Sequence, residues 1–308
     1  MTTMTFEDAV ARIIAARSFQ DLAEAKNAET GTSTGNSAGR AYRKWAKLIH
    51  PDTVSAQRRA TATDAFAKLS ALYENRKKRI EPWGSGDIAE LFADGDRLIK
   101  MPRNPADNDL METEAAALRK LWADGDPRFR PYAPRLIETF VHEDEQRRRR
   151  VVNVLERRRG MGTLAEVEGD LGVREAAWIW RRLLVAIGWA HRAGVTHGAV
   201  LPEHVLIHPG RRGLVLVDWC YAGHRPAAIV RARVDHYPPE VRDDRTAGPA
   251  TDIYMATVLM TRLMGSRMPA SLRRFAAGCT YDAPRMRPQD AWALLGEFDD
   301  IIPPQYRN

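Results

Sequence analysis

Cysteine is scarce. Cys220 and Cys279 are the only two in 308 residues, which excludes a disulfide framework and a cysteine-rich zinc site. No apolar run is long enough to span a bilayer. The opening "MTTMTFEDAVARIIAARS" lacks the basic start, apolar block and small-residue cleavage site of a secretory signal. Together these absences lead to the expectation of a cytoplasmic protein with no membrane partner. Aromatic residues make up 8% and are not interleaved with the basic runs, as a base-stacking platform would need. Internal repeats and low-complexity tracts are also missing.

What is present is ordinary in bulk and unusual in charge. A hydrophobic content of 44% and a charged content of 28% fit a globular chain, and the length predicts two or three domains. The net charge of +7 permits nucleic acid, an anionic membrane or an acidic protein as partner. The surplus sits in runs at 74–79, 145–152 and 155–160, which read first as solvated faces or loops. A nucleic-acid scaffold resting on Arg147 to Arg150 therefore ranks lowest among the readings.

Apolar spacing predicts a helix over 5–26, with Phe6, Val10, Ile13 and Ile14 on one stripe. A Gly/Ser/Thr loop is expected over 29–39. A second helix is expected from near Arg40, with Ala41, Trp45 and Leu48 inward and Arg43, Lys44 and Lys47 outward. It must end at His50, because Pro51 disfavours helix in the residue before it. A third helix is predicted over 56–79, with Ala62, Phe66, Leu69 and Tyr73 on its core stripe. The two form an antiparallel pair, closed by "HPD", His50-Pro51-Asp52.

The basic helix, the HPD turn and the helix after it together resemble a J-domain, the module of DnaJ-type co-chaperones, over about residues 5 to 79. That resemblance implies that His50, Pro51 and Asp52 stimulate ATP hydrolysis by a DnaK-type chaperone. Arg43, Lys44 and Lys47 would meet an acidic surface on it. The usual aromatic opening of such modules is absent, and the loop before the second helix is long.

"EPWGSG" (81–86) reads as a boundary, and the pattern changes there. "DIAELFADGDRLIKMPR" predicts a hairpin and "NDLMETEAAALRKLW" a helix. "RLIETFVH" and "RVVNVLE" predict a second strand pair. "AAWIWRRLLVAIGWAHRAG" is strongly helical, and "HVLIH" and "LVLVDW" are short strands. A strand-rich front and a helical rear suggest an α+β body of two lobes.

Landmarks follow in a set order: Gly84 and Gly86 before a strand, Lys100 at a strand end, Glu114 one helix later, "THGAVLPEHVLIH", Asp218 in "LVLVDW", Glu240 in "YPPE", Asp252 in "TDIYMA" and Arg287 in "RMRPQDAW". In this order they resemble the protein-kinase fold, with an aminoglycoside-phosphotransferase flavour, over about 81 to 300. The resemblance implies that Lys100, held by Glu114, grips nucleotide phosphates and that Asp218 holds Mg²⁺. Gly84 and Gly86 read equally as a phosphate loop or as linker. It also implies a catalytic-loop Asp where this chain has Ala199, a basic residue where it has Leu201, and a metal-binding Asn where it has His204. Glu240 with Arg287, Asp252 and His197 match scaffold positions. His191, His197, His204 and His208 lack a recognised metal-ligand spacing and read as core or surface residues.

The expectation is thus a multi-domain chain. A J-domain-like all-α helical hairpin spans 1–79 and a linker or phosphate-loop region 80–86. A kinase-like α+β fold follows, with an N-lobe at 87–160 and a helical C-lobe at 161–308. The expected role is a co-chaperone adaptor whose pseudokinase body binds a client protein or nucleotide. ATP with Mg²⁺ is a ligand the cleft could hold, and no cofactor is required. The alternative is an active, atypical ATP-dependent transferase targeted by its J-domain.

Overall fold

The computed structural model describes residues 4–23, 37–78, 81–144, 146–167, 171–208, 210 and 213–306. Thr5 starts the first helix. Its hydroxyl accepts from the Asp8 N–H while the Asp8 carboxylate accepts from the Thr5 N–H. Helix α1 (Phe6–Ala15) buries Ala9 and Ile13. The helix expected over 5–26 is interrupted here. The Asp21 carboxylate accepts from the N–H groups of Arg17 and Ser18 and from the Ser18 hydroxyl. That local competition with the helical ladder restarts the chain as α2 (Phe19–Ala23). Ile14, expected in the core, is 49% exposed, and Phe19 and Leu22 are buried in its stead.

Helix α3 (Ser37–Ile49) begins before the expected Arg40, so 37–39 are helix and not loop. The loop expected over 29–36, the end of the first expected helix at 24–26, and residues 79 and 145 of the basic runs lie outside the described residues. A 3₁₀ turn, Ala56–Arg58, leads into α4 (Arg59–Lys78). Helices α3 and α4 run antiparallel. The Tyr42 and Ser70 hydroxyls meet at 3.0 Å, and the His50 ring sits edge-on to Phe66 at 5.2 Å. Trp45 is buried and its Nε1–H donates to the Leu22 carbonyl at 3.0 Å, tying α2 to α3. Ala9, Ile13, Phe19, Leu22, Trp45, Ile49, Ala65 and Leu69 form a core of their own.

The remainder is built around two antiparallel sheets. Residues 81–85, expected as linker or phosphate loop, are strand β1 (Glu81–Ser85). Strands β2 (Ala89–Asp94) and β3 (Arg97–Pro102) form the expected hairpin, turning at Gly95, whose φ of 60° suits glycine. Helix α5 (Asn108–Asp124) crosses to β4 (Leu136–Glu143) and β5 (Arg149–Glu156). The sheet order is β1-β2-β3-β5-β4. Buried Asn153 in β5 donates to the Met111 carbonyl at 2.9 Å and to Glu114 Oε2 at 3.0 Å, locking α5 onto the sheet.

Strand β6 (Gly162–Thr163) and the short α6 (Leu164–Val167) lead to α7 (Val173–Arg192), apolar on most of its surface and buried. Strands β7 (Val205–His208) and β8 (Gly213–Leu216) complete a sheet ordered β6-β7-β8. Helices α8 (Pro239–Asp244), α9 (Pro249–Met264), α10 (Ala270–Cys279) and α11 (Ala291–Ile301) follow. Trp180, Trp189, Trp219, Leu259 and Phe298 anchor a second, larger core that shares no residue with the first. The chain is a mixed α+β protein with two separate hydrophobic cores. Among the described residues no helix is long and apolar enough to cross a membrane.

Candidate functional site

Two places bring predicted site residues together. The first is the turn after α3. His50 closes it: its carbonyl accepts from the Thr53 N–H and hydroxyl, both at 3.0 Å. Its Nδ1 accepts from the Asp52 N–H at 3.3 Å. The Asp52 side chain is 87% exposed and that of His50 42%. Arg43, Lys44 and Lys47 are exposed on α3 while Trp45 and Ile49 point into the core. The turn therefore carries a preset carboxylate and a half-buried imidazole at the end of a basic helix face.

The second place is a cleft of about 180 Å³ between the two sheets, lined by Trp83, Lys100, Glu114, Glu203 and Asp218 among others. Lys100, expected at a strand end, lies within β3 two residues before its last, and is 4% exposed; Glu114 on α5 is fully buried. The Lys100 ammonium donates to Glu114 Oε1 at 3.0 Å, to Cys220 Sγ at 3.1 Å and to Asp218 Oδ1. Burial works against this ammonium, but Asp218 and its neighbours outweigh it and push the Lys100 pKa well up. Burial opposes the Asp218 charge as well, and Lys100 prevails, holding that carboxyl down to about 2. Asp218 sits just past β8 in the left-handed region, φ 62° and ψ 52°, which Asp tolerates better than most residues.

Below this cluster a second network fixes the segment after α7. Asp252 on α9, fully buried, accepts from the backbone N–H groups of His197 and Gly198, both at 2.8 Å, and pairs with His191 Nε2 at 2.8 Å. The His197 Nε2–H donates to the Val217 carbonyl at 2.9 Å, and its Nδ1 accepts from the Ala199 N–H at 3.2 Å. A neutral ring satisfies both bonds, and burial pushes the His197 pKa down to about 4. His204 Nδ1 bonds the Ala199 carbonyl at 2.8 Å, and its Nε2 stands 3.6 Å from Asp218 Oδ2. Ala199 and Leu201 are completely buried and offer neither a proton acceptor nor a charge. Farther on, Arg287 and Glu240 form a bidentate pair at 2.7 and 3.0 Å.

The sequence-predicted groups thus separate into those that meet and those that do not. Lys100, Glu114 and Asp218 meet, as do Asp252 with His197 and Glu240 with Arg287. Gly84 lies inside β1, and Gly86 just after it spends its N–H on the Ala89 carbonyl at 2.8 Å. Neither has a positive φ and neither lines the cleft, and the Gly86 N–H is not free to cradle a phosphate. Cys220 was missed. It lies two residues past Asp218, in a 3₁₀ turn that returns its side chain to the same lysine. Glu114, Asp218 and Cys220 could together be mistaken for a cation site. Their shared centre already holds the Lys100 ammonium, and burial keeps Cys220 a thiol, its pKa raised. Magnesium prefers six oxygens, so this donor set does not fit it. No protein-family model matches the chain.

Proposed function

We propose that the chain is a co-chaperone adaptor. Its helical unit, a J-domain on this reading, recruits and stimulates a DnaK-type ATPase chaperone. The observation that carries the reading is the combination at one helix end: His50, Pro51 and exposed Asp52 close a turn directly after the exposed Arg43, Lys44 and Lys47. Like charges on one face steer an acidic partner and set its register, and a preset carboxylate engages a partner Arg with little entropy to lose.

On the same reading the α+β part is a kinase-like body that serves as a binding module for a client protein. Supporting this, positions 199 and 201 carry buried Ala and Leu, and Asp218 is committed to Lys100. The deciding experiment measures ATP turnover by a DnaK-type chaperone with and without the protein, beside His50→Gln. Stimulation that His50→Gln abolishes is expected; no stimulation by the folded protein refutes the reading.

One observation favours a second reading. Lys100 and Glu114 form the buried ion pair with which a phosphoryl-transfer enzyme grips nucleotide phosphates. An atypical ATP-dependent transferase would move label from ATP to an acceptor and lose that activity in Asp218→Ala.

A further inference from the structure

A second cavity, of about 470 Å³, lies behind segment 156–161, on the side away from Lys100. It is bounded by Pro131 and Tyr132, by Arg182 on α7, by the β7–β8 hairpin, and by Glu156, Arg157, Arg158, Arg159 and Met161. Four guanidinium groups face a single lining carboxylate. That carboxylate, Glu156, is already taken by Arg158 at 3.3 Å. Arg159 is 61% exposed and pairs outward with Asp96.

The other three are poorly satisfied by the protein itself. Arg182 gives one N–H to the Tyr132 hydroxyl at 3.1 Å and lies over the Trp178 ring. Arg157 stacks on Trp83 at 4.0 Å and makes a long bond of 3.4 Å to the Gly95 carbonyl. Arg158 donates one more N–H to the Ala133 carbonyl at 3.0 Å. The Nε atoms of Arg157, Arg158 and Arg182 are all buried without a hydrogen-bond partner. Those Nε atoms have no accessible surface, so the donors left for an acceptor are the terminal N–H groups of Arg157 and Arg182, of which the described residues take only one each.

We propose that this cavity binds a small molecule bearing a phosphate or pyrophosphate group. A planar carboxylate is served by one Arg fork, whereas a tetrahedral phosphoryl group accepts from several guanidinium groups at different angles. The arginines here come from two separate elements, segment 157–159 and α7, and line one cavity from different sides of the chain. Met161, Leu214, Val215 and Pro131 supply an apolar wall for the rest of the molecule, and the volume is that of an ordinary small-ligand site. Because Arg157 and Arg158 also line the Lys100 cleft, the same segment forms a wall of both cavities. This proposal stands apart from the co-chaperone reading.

The test titrates full-length protein calorimetrically with inorganic pyrophosphate at constant ionic strength, with citrate as the carboxylate counterpart. Saturable pyrophosphate binding is expected, weakened about tenfold or more in Arg182→Gln and in Arg158→Gln, as loss of a charge-assisted hydrogen bond predicts. Hydrogen exchange on the wild-type protein gives an arm that needs no variant: pyrophosphate should protect segments 127–132 and 156–161. No pyrophosphate binding, equal binding of citrate, unchanged affinity in the folded variants, or binding without protection of those segments would each overturn the proposal.

Discussion

Replacing Lys100 by Met keeps the length and most of the apolar volume of the side chain while deleting its charge. The buried Glu114 carboxylate then keeps only the Asn153 amide as partner, and Asp218 loses its ammonium. Asp218 is the lesser problem, because 23% of its side chain remains exposed to water. Glu114 has no such outlet. Stranding one partner of a buried pair costs about 3–5 kcal/mol.

A loss of that size is read directly from an unfolding midpoint. Urea unfolding followed by tryptophan fluorescence suits the purpose, since Trp45 is the only one of the 8 tryptophans before residue 83. The midpoint should fall by about 1–2 M at pH 7. Lys100→Met/Glu114→Gln should recover at least half of it, since Gln can still accept from Asn153. An unchanged midpoint, or a double variant no better than the single, would refute the assignment of Lys100 as the counter-charge of this core.

Three further outcomes are expected. His197, with its pKa held near 4, stays neutral in the fold after the unfolded chain has begun to take up a proton. Stability should therefore be full above about pH 6.5 and decline toward pH 4, by about 2 kcal/mol at pH 5, read as urea midpoints across that window. Gly198 has φ +75°, and a Cβ there would lie 2.5 Å from the Tyr221 carbonyl oxygen. Gly198→Ala should lower Tm by about 5 °C or more in calorimetry. Replacing exposed Arg43, Lys44 and Lys47 by Ala should leave the circular dichroism unchanged. On the co-chaperone reading it should also slow association with a DnaK-type chaperone about tenfold and flatten its salt dependence.

Much of this architecture is legible from spacing. Pro51 sets the end of α3, the hairpin pattern over 87–103 sets β2 and β3, and the long apolar run of α7 announces a buried helix. The break after α1 was also written in the chain: Ser18 and Asp21 stand at capping-box spacing. The apolar period simply ran through it, so Ile14 was placed in the core and Phe19 was overlooked. Strand β1 was obscured because Pro82, Gly84 and Ser85 read as a turn. They are tolerated because β1 is an edge strand with a register shift between Pro82 and Gly84. In the cleft, Lys100, Glu114 and Asp218 were legible only through the order of landmarks that resembles the kinase fold. Cys220 was not, since its place beside Lys100 depends on the left-handed turn at Asp218. The arginines of segment 157–159 read as a solvated run, and only the fold shows Arg157 and Arg158 lining a cavity together with Arg182.

The junction between the two units has a mechanical meaning. Only residues 79 and 80 separate the last residue of α4 from the first of β1. Three Cα steps reach at most about 10 Å, so the tether is short whatever path it takes. Tension applied to the helical unit would pass straight into β1, which is hydrogen-bonded on one side alone, to β2. The strand would peel before any interior strand felt the load. Peeling it would carry Trp83 off Arg157 and unroof the Lys100 cleft. The sheet edge is thereby a fuse, and force on one unit becomes exposure in the other.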